Sequence, residues 1–139
     1  MLNKRLYAAY GSNMNLKQMA RRCPNAKVVG KGVILDNKLV FAYKGVATMI
    51  PEAGQSVPVV LWEITRACEA SLDIYEGYPK LYKKENFAVR MENGMVELAM
   101  AYIMNKPYSD ILETPTDLYK QTIIEGYNDN GIDLINILK

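Results

Sequence analysis

Short runs of apolar residues, many of them alternating with polar ones, are punctuated along the chain by glycine, proline and asparagine and interleaved with stretches of helical period. Leu6-Tyr7-Ala8-Ala9-Tyr10 predicts a buried strand. Leu16, Met19, Ala20 and Cys23 then recur at i, i+3, i+4 and i+7, with Lys17, Gln18, Arg21 and Arg22 on the other side. This predicts an amphipathic helix, stopped by Pro24. Lys27 to Leu35 predicts a strand, Asp36-Asn37 a turn, and Leu39 to Tyr43 the neighbouring strand. Gly45 to Ile50 continues as extended chain until Pro51-Glu52-Ala53-Gly54 turns it. Val57 to Ile64 is a strongly apolar strand carrying Trp62. Thr65 is placed to cap a helix through Leu72 to Tyr75, which Gly77 and Pro79 end. Phe87, Val89 and Met91 alternate before Asn93-Gly94, and Val96, Leu98, Met100, Tyr102 and Met104 alternate after it, a strong hairpin signal. Thr116 to Tyr127 has helical period through Leu118, Ile123, Ile124 and Tyr127, and Ile132 to Leu138 predicts one more short helix.

Consecutive strands joined by tight turns predict an α+β fold: a small mixed, mainly antiparallel β-barrel or curved sheet with flanking helices. With 139 residues and no linker, repeat or low-complexity segment, residues 1–139 are expected to form a single domain with a core of its own. Hydrophobic residues make up 50% and charged residues 23%, as in ordinary globular proteins.

Charge and cysteine usage exclude several function classes. The formal net charge is +2, and Lys4-Arg5, Arg21-Arg22 and Lys83-Lys84 are isolated pairs rather than a basic stripe, so no nucleic acid partner is expected. No apolar run is long enough to span a bilayer and no cleavable leader follows Lys4 and Arg5, so no membrane association is expected and the location is cytoplasmic. Cys23 and Cys68 lack a C-x-x-C pattern and are expected to be reduced thiols on apolar helix stripes. The methionines at 91, 95, 100 and 104 read as core filling. Asp110, Glu113 and Asp117, around Pro115, read as a solvated loop rather than a metal site.

The chain contains no histidine. Ser-His-Asp and Cys-His catalysis are therefore excluded within the subunit, as is a His-containing zinc site. Any proton transfer must be run by Asp, Glu, Lys, Tyr or Cys.

Two segments carry candidate chemistry. In Tyr10-Gly11-Ser12-Asn13-Met14, glycine lets backbone approach a ligand, and Ser12 and Asn13 are good helix caps. N–H groups at such a turn suit a carboxylate, a phosphate or a developing oxyanion, although the pentapeptide is also an ordinary strand–helix connection. The second segment is Leu72-Asp73-Ile74-Tyr75-Glu76-Gly77-Tyr78-Pro79. Glu76 sits at a helix C-terminus, where a carboxylate is normally unwelcome. Among Tyr75, Tyr78 and Tyr82 it gains a raised pKa if buried, and so becomes a better base near neutral pH. Periodicity equally allows Glu69, Asp73 and Glu76 to form one solvated acidic face.

Taken together, Tyr7-x-x-Tyr10-Gly11-Ser12-Asn13-Met14 and Leu72-Asp73-x-Tyr75-Glu76-Gly77 resemble the γ-glutamylcyclotransferase-like family. Gly45-Val46-Ala47-Thr48, Val57 to Glu63, Tyr82 and Ala101-Tyr102-Ile103-Met104 fit in the same order, so the resemblance runs from Leu6 to about Gly131. Ala8, where the family often has an aromatic, and Met14, where leucine is frequent, depart from it without removing a functional group. The resemblance implies a small mixed barrel and no cofactor. It implies Glu76 as the catalytic acid/base and Tyr10, Gly11, Ser12 and Asn13 as the γ-glutamyl-binding turn. Tyr7, Tyr82 and Tyr102 are expected beside it, in a chain whose ten tyrosines outnumber two phenylalanines.

The implied substrate is a small γ-glutamyl amide, which carries its own nucleophile. Its α-amine closes a five-membered ring on the γ-carbonyl, giving 5-oxoproline and a free amine or amino acid, so only proton management is asked of the protein. Two other readings stay open: a non-catalytic module that binds a glutamyl-like ligand, and an enzyme acting on γ-glutamyl bonds in a larger substrate. The oligomeric state is open between monomer and homodimer.

Overall fold

The structure, a computed structural model, describes residues 4–135. Strand β1 (Lys4–Ala9) leads into a 3-10 turn (Ser12–Met14) and helix α1 (Leu16–Arg22). Strands β2 (Lys27–Phe41) and β3 (Ala47–Thr65) form a long hairpin, followed by helix α2 (Arg66–Glu76), strands β4 (Tyr82–Met91) and β5 (Val96–Met104), and helix α3 (Asp117–Asp129). The strands close a barrel in the order β1-β3-β2-β4-β5. Every pairing is antiparallel except β1 with β5, where Tyr7 lies opposite Met100. The α+β barrel expected from the pattern is the fold.

The period-2 alternation of the strands divides the core in two. Ala8, Val57, Val59, Leu61, Val89, Ala99, Ala101 and Ile103 belong to a cluster drawn from the strands, which fills the barrel. Their neighbours Tyr7, Ala9, Val60, Trp62, Met100 and Tyr102 face outward and pack with Met14, Met19, Leu72, Ile123 and Tyr127 of the turn and helices. A one-residue slip in β1 would exchange the two faces, so its register with β3, Tyr7 opposite Trp62, is fixed by burial on both sides.

Two expected turns become one irregularity. Asp36-Asn37 and Pro51 to Gly54 lie opposite each other within the β2–β3 hairpin, with Leu35 paired to Ser56 and Asn37 to Pro51. Asp36 takes a left-handed conformation (φ 57°) and its Oδ1 accepts from the Gly54 N–H at 3.1 Å. The extra residues are absorbed as a bulge that bends both strands together, so neither strand is broken. The Asn93-Gly94 hairpin forms where expected, with Gly94 at φ 87°. Thr65 caps α2 by accepting from the Cys68 N–H at 3.1 Å, and Gly77 (φ 65°) ends it.

Three expectations are corrected. Helix α1 is capped by Asn15, whose side chain accepts from the Gln18 N–H, and not by Ser12 or Asn13. The intervening 3-10 turn delays the helix and frees those two side chains. Cys23 and Cys68 are joined in a disulfide, not left as thiols: one sits at the end of α1, the other in the first turn of α2, with Cα atoms 5.2 Å apart. Met95 is 60% exposed, unlike buried Met91, Met100 and Met104, because it belongs to the hairpin turn. Of the short helix expected over 132–138, residues 132–134 are turn and irregular chain, 135 is helical, and 136–138 lie outside the described residues.

Candidate active site

All eight candidate residues, Tyr7, Tyr10, Gly11, Ser12, Asn13, Glu76, Tyr82 and Tyr102, line one cavity of about 230 Å³ at the junction of the two cores. Strand β1 delivers Tyr7 and, one residue past its end, Tyr10. The 3-10 turn brings Ser12 and Asn13, and the C-terminus of α2 brings Glu76. Val46, Ala47, Tyr75, Leu81 and Tyr119 complete the wall.

The turn is held from three sides. Asn13 Nδ2 donates to the Tyr7 hydroxyl at 3.0 Å, its Oδ1 accepts from Arg22 Nη1, and its carbonyl accepts from Trp62 Nε1 at 3.0 Å. Helix α3 packs directly against the turn: Asn130 Nδ2 donates to the Met14 carbonyl at 2.9 Å, and Asn15 Nδ2 donates to the Thr122 carbonyl at 3.0 Å. The close approach requires Gly126, where a Cβ would lie 2.8 Å from the Asn15 nitrogen. Among the described residues, the N–H groups of Gly11, Ser12 and Asn13 donate to no protein acceptor. Those N–H groups, buttressed from behind, are suited to an anion or an oxyanion.

Glu76 is the only carboxylate lining the cavity among the described residues. The solvated acidic face does not form. Glu69 and Asp73 are bound by Lys84 at 2.7 and 2.9 Å, and Glu69 also by Arg5 at 2.9 Å, while Glu76 faces the cavity with no hydrogen-bond or ion-pair partner among the described residues. Burial pushes its pKa up to about 7, against the opposing pull of the Arg22 guanidinium. At neutral pH such a carboxylate exchanges protons readily in either direction.

The cavity tyrosines differ in where their hydroxyl protons go. Tyr10 donates to the Tyr102 carbonyl, Tyr82 to the Ala47 carbonyl at 2.6 Å, and Tyr102 to Asp73 Oδ1 at 2.6 Å. Tyr102 therefore offers its ring to the cavity while its hydroxyl is bound to α2. Tyr7 and Tyr119 are acceptors in their protein bonds, from Asn13 Nδ2 and from the Ala47 N–H at 3.1 Å. Each keeps an uncommitted proton, and burial raises both pKa values, that of Tyr119 to about 12, so both remain protonated donors at neutral pH.

Arg22 and Tyr119 were not singled out by the sequence. Arg22 lies on the polar stripe of α1, where a solvated arginine is the ordinary reading, and Tyr119 lies on a helix far along the chain. The surplus of tyrosine over phenylalanine was the one signal pointing to further cavity hydroxyls. Tyr78, considered beside Glu76, is instead 41% exposed under the Lys84 ammonium. Among the described residues no group of His, Cys, Asp and Glu side chains is arranged to hold a metal.

A family profile described as gamma-glutamyl cyclotransferase, AIG2-like, matches residues 7–125. The γ-glutamylcyclotransferase of Bos taurus is 29% identical over 140 residues, covering 93% of this chain and 73% of that protein. A solved structure described as gamma-glutamyl cyclotransferase superposes with a TM-score of 0.86 at 26% identity, over 97% of this chain and 85% of the other. YkqA from Bacillus subtilis shares the fold at 20% identity, with a TM-score of 0.82 over 98% of this chain and 52% of its own.

Proposed function

The chain belongs to the AIG2-like γ-glutamylcyclotransferase family and is an enzyme, and from that premise we propose that it cyclises a small γ-glutamyl amide to 5-oxoproline with release of the amine. The observation that carries this reading is the pairing, in one cavity, of a carboxylate whose pKa burial raises to about 7 with a turn of N–H groups, neither of them partnered among the described residues.

The chemistry asked of these groups is modest. Glu76 accepts a proton from the substrate's α-ammonium. The freed amine attacks the γ-carbonyl, forming the ring C–N bond, and negative charge develops on the carbonyl oxygen. The N–H groups of Gly11, Ser12 and Asn13 receive that charge or the α-carboxylate. As the original amide bond breaks, the departing nitrogen takes the proton from Glu76, and the carboxylate so regenerated removes the second proton from the ring nitrogen, leaving the neutral lactam. Because the nucleophile is tethered to its target, no covalent intermediate on the protein is needed. Tyr7 and Tyr119, each with a free hydroxyl proton, add donors to the cavity wall, and Tyr10, Tyr82 and Tyr102 shape it.

The test is release of 5-oxoproline from γ-glutamyl amino acids, glutathione and γ-glutamyl-ε-lysine by the wild-type protein and by Glu76→Gln. Product from the wild type alone supports the assignment, and the preferred panel member identifies the leaving amine. Product from neither protein would replace turnover by a binding role for the same cavity.

A further inference from the structure

Arg22 is the last residue of α1 and is half-buried beside the cavity. Its Nη1 donates to Asn13 Oδ1 and lies 3.5 Å from Ser12 Oγ, while its Cζ sits 3.2 Å from the centre of the Tyr75 ring. Among the described residues it has no carboxylate within ion-pair distance, and Glu76 is the charged group that acts on it most strongly. One planar group therefore touches the binding turn on one side and the residue preceding Glu76 on the other.

Two consequences follow from the bonding. An amide has one oxygen and one NH2 group, so committing Asn13 Oδ1 to a cation points Nδ2 at the Tyr7 hydroxyl and leaves the Tyr7 proton for the cavity. Stacking on Tyr75 meanwhile keeps the guanidinium close to Glu76 without a direct ion pair, which would quench the carboxylate as a base. The next residue, Cys23, is bonded to Cys68 of α2, so the end of α1 is anchored to the helix that carries Glu76.

We propose that Arg22 is a positioning residue that couples the substrate-binding turn to the acid/base carboxylate, orienting the Asn13 amide and holding Glu76 ready to take a proton. This rests on the cyclotransferase reading above. The groups facing Glu76 are Arg22 of α1, Tyr7 of β1, Tyr10 beyond its end, Tyr82 of β4 and Tyr119 of α3. Of these, Arg22 is the sole cation.

The experiment follows the carboxyl ¹³C resonance of Glu76 against pH in the substrate-free protein, for wild type, Arg22→Gln, Arg22→Met and Arg22→Lys. Folding is checked by circular dichroism, and 5-oxoproline release is measured over the same pH range. The wild-type midpoint is expected near 7. Both neutral variants should move it to higher pH, and the acid limb of kcat/KM should move with it. Lysine keeps the charge but not the planar fork, so Arg22→Lys should restore the midpoint while kcat stays about tenfold or more below wild type, as misalignment of a binding turn costs. An unmoved midpoint in either folded neutral variant overturns the proposal, as does full kcat in Arg22→Lys. Since the titration needs no substrate, a wild type that releases no 5-oxoproline would sink the cyclotransferase reading and leave the titration to judge Arg22.

Discussion

The Tyr102 hydroxyl donates to Asp73 Oδ1 across 2.6 Å, tying strand β5 to helix α2 one turn ahead of Glu76. Asp73 is also held by Lys84, and Lys84 by Glu69, so the acidic face of α2 is fastened to the barrel and the helix end is fixed in place. In Tyr102→Phe the ring stays against Tyr7 (centroids 5.8 Å apart) and Asp73 keeps Lys84. The expected outcome is a stability loss of about 1 kcal/mol and a severalfold fall in kcat with KM nearly unchanged. Steady-state kinetics decide it: a rise in KM at constant kcat would mean that the hydroxyl meets the substrate directly.

Glu76 gives a prediction in which activity and stability move in opposite directions. Glu76→Gln should lose turnover by about a hundredfold or more, the usual worth of general acid–base catalysis. Because the native pKa of Glu76 lies above that of an exposed carboxyl, the native state binds more protons than the unfolded chain between about 4.5 and about 7. Stability therefore falls as pH rises through that window. Glutamine removes the penalty, so the variant should be more stable than wild type by on the order of 1 to 3 kcal/mol at pH 8. The gap should close only below about pH 4.5, where the carboxyl becomes protonated in both states. Urea unfolding at the two pH values measures this, and equal stabilities at pH 8 would place the carboxylate in solvent.

At Gly11 the requirement is space. A Cβ there would lie 3.4 Å from the Ala47 Cβ and 3.5 Å from the Tyr119 hydroxyl, ordinary contact distances, and would occupy the cavity between them. The backbone angles at Gly11 (φ −118°, ψ −133°) are close to those of Ala42 (φ −127°, ψ −144°), so alanine is compatible with this local conformation. Gly11→Ala should melt close to the wild type while KM for the γ-glutamyl substrate rises about tenfold or more, the cost of a misfitted methyl at a tight contact. A large drop in melting temperature with unchanged KM would assign the glycine to folding instead.

Much of this was legible from local patterns. The Asn93-Gly94 hairpin, the Thr65 cap and the Gly77 stop are short-range signals, and each element formed as its own residues dictate. What local pattern could not reveal depends on residues distant in the chain. The bulge pairing Asp36 with Gly54 required knowing that two turn-like segments face each other across one hairpin. Periodicity left Glu76 on one stripe with Glu69 and Asp73. It is the fastening of those two to Lys84, a residue of a later strand, that separates the three carboxylates. Tyr119 reaches the cavity from α3 because Gly126 lets that helix approach the turn, a contact no window of sequence contains.

The same lesson applies to the cysteines, which give the last prediction. Cys23 and Cys68 each occupy an apolar helix position, and separately each is an ordinary buried thiol. Packing α1 on α2 brings their Cα atoms to 5.2 Å across a sequence separation of 45, where they form a disulfide. Closing a loop of that length removes freedom from the unfolded chain worth about 4 kcal/mol. The oxidised protein should therefore melt roughly 14 °C above the Cys23→Ala/Cys68→Ala double variant. Both residues are almost wholly buried, so thiol reagents should find nothing to react with until the protein is denatured and reduced. Two titratable thiols in the denatured, unreduced protein would mean that the pair is open in solution. The end of α1, with Arg22 on it, would then be held to α2 by packing alone.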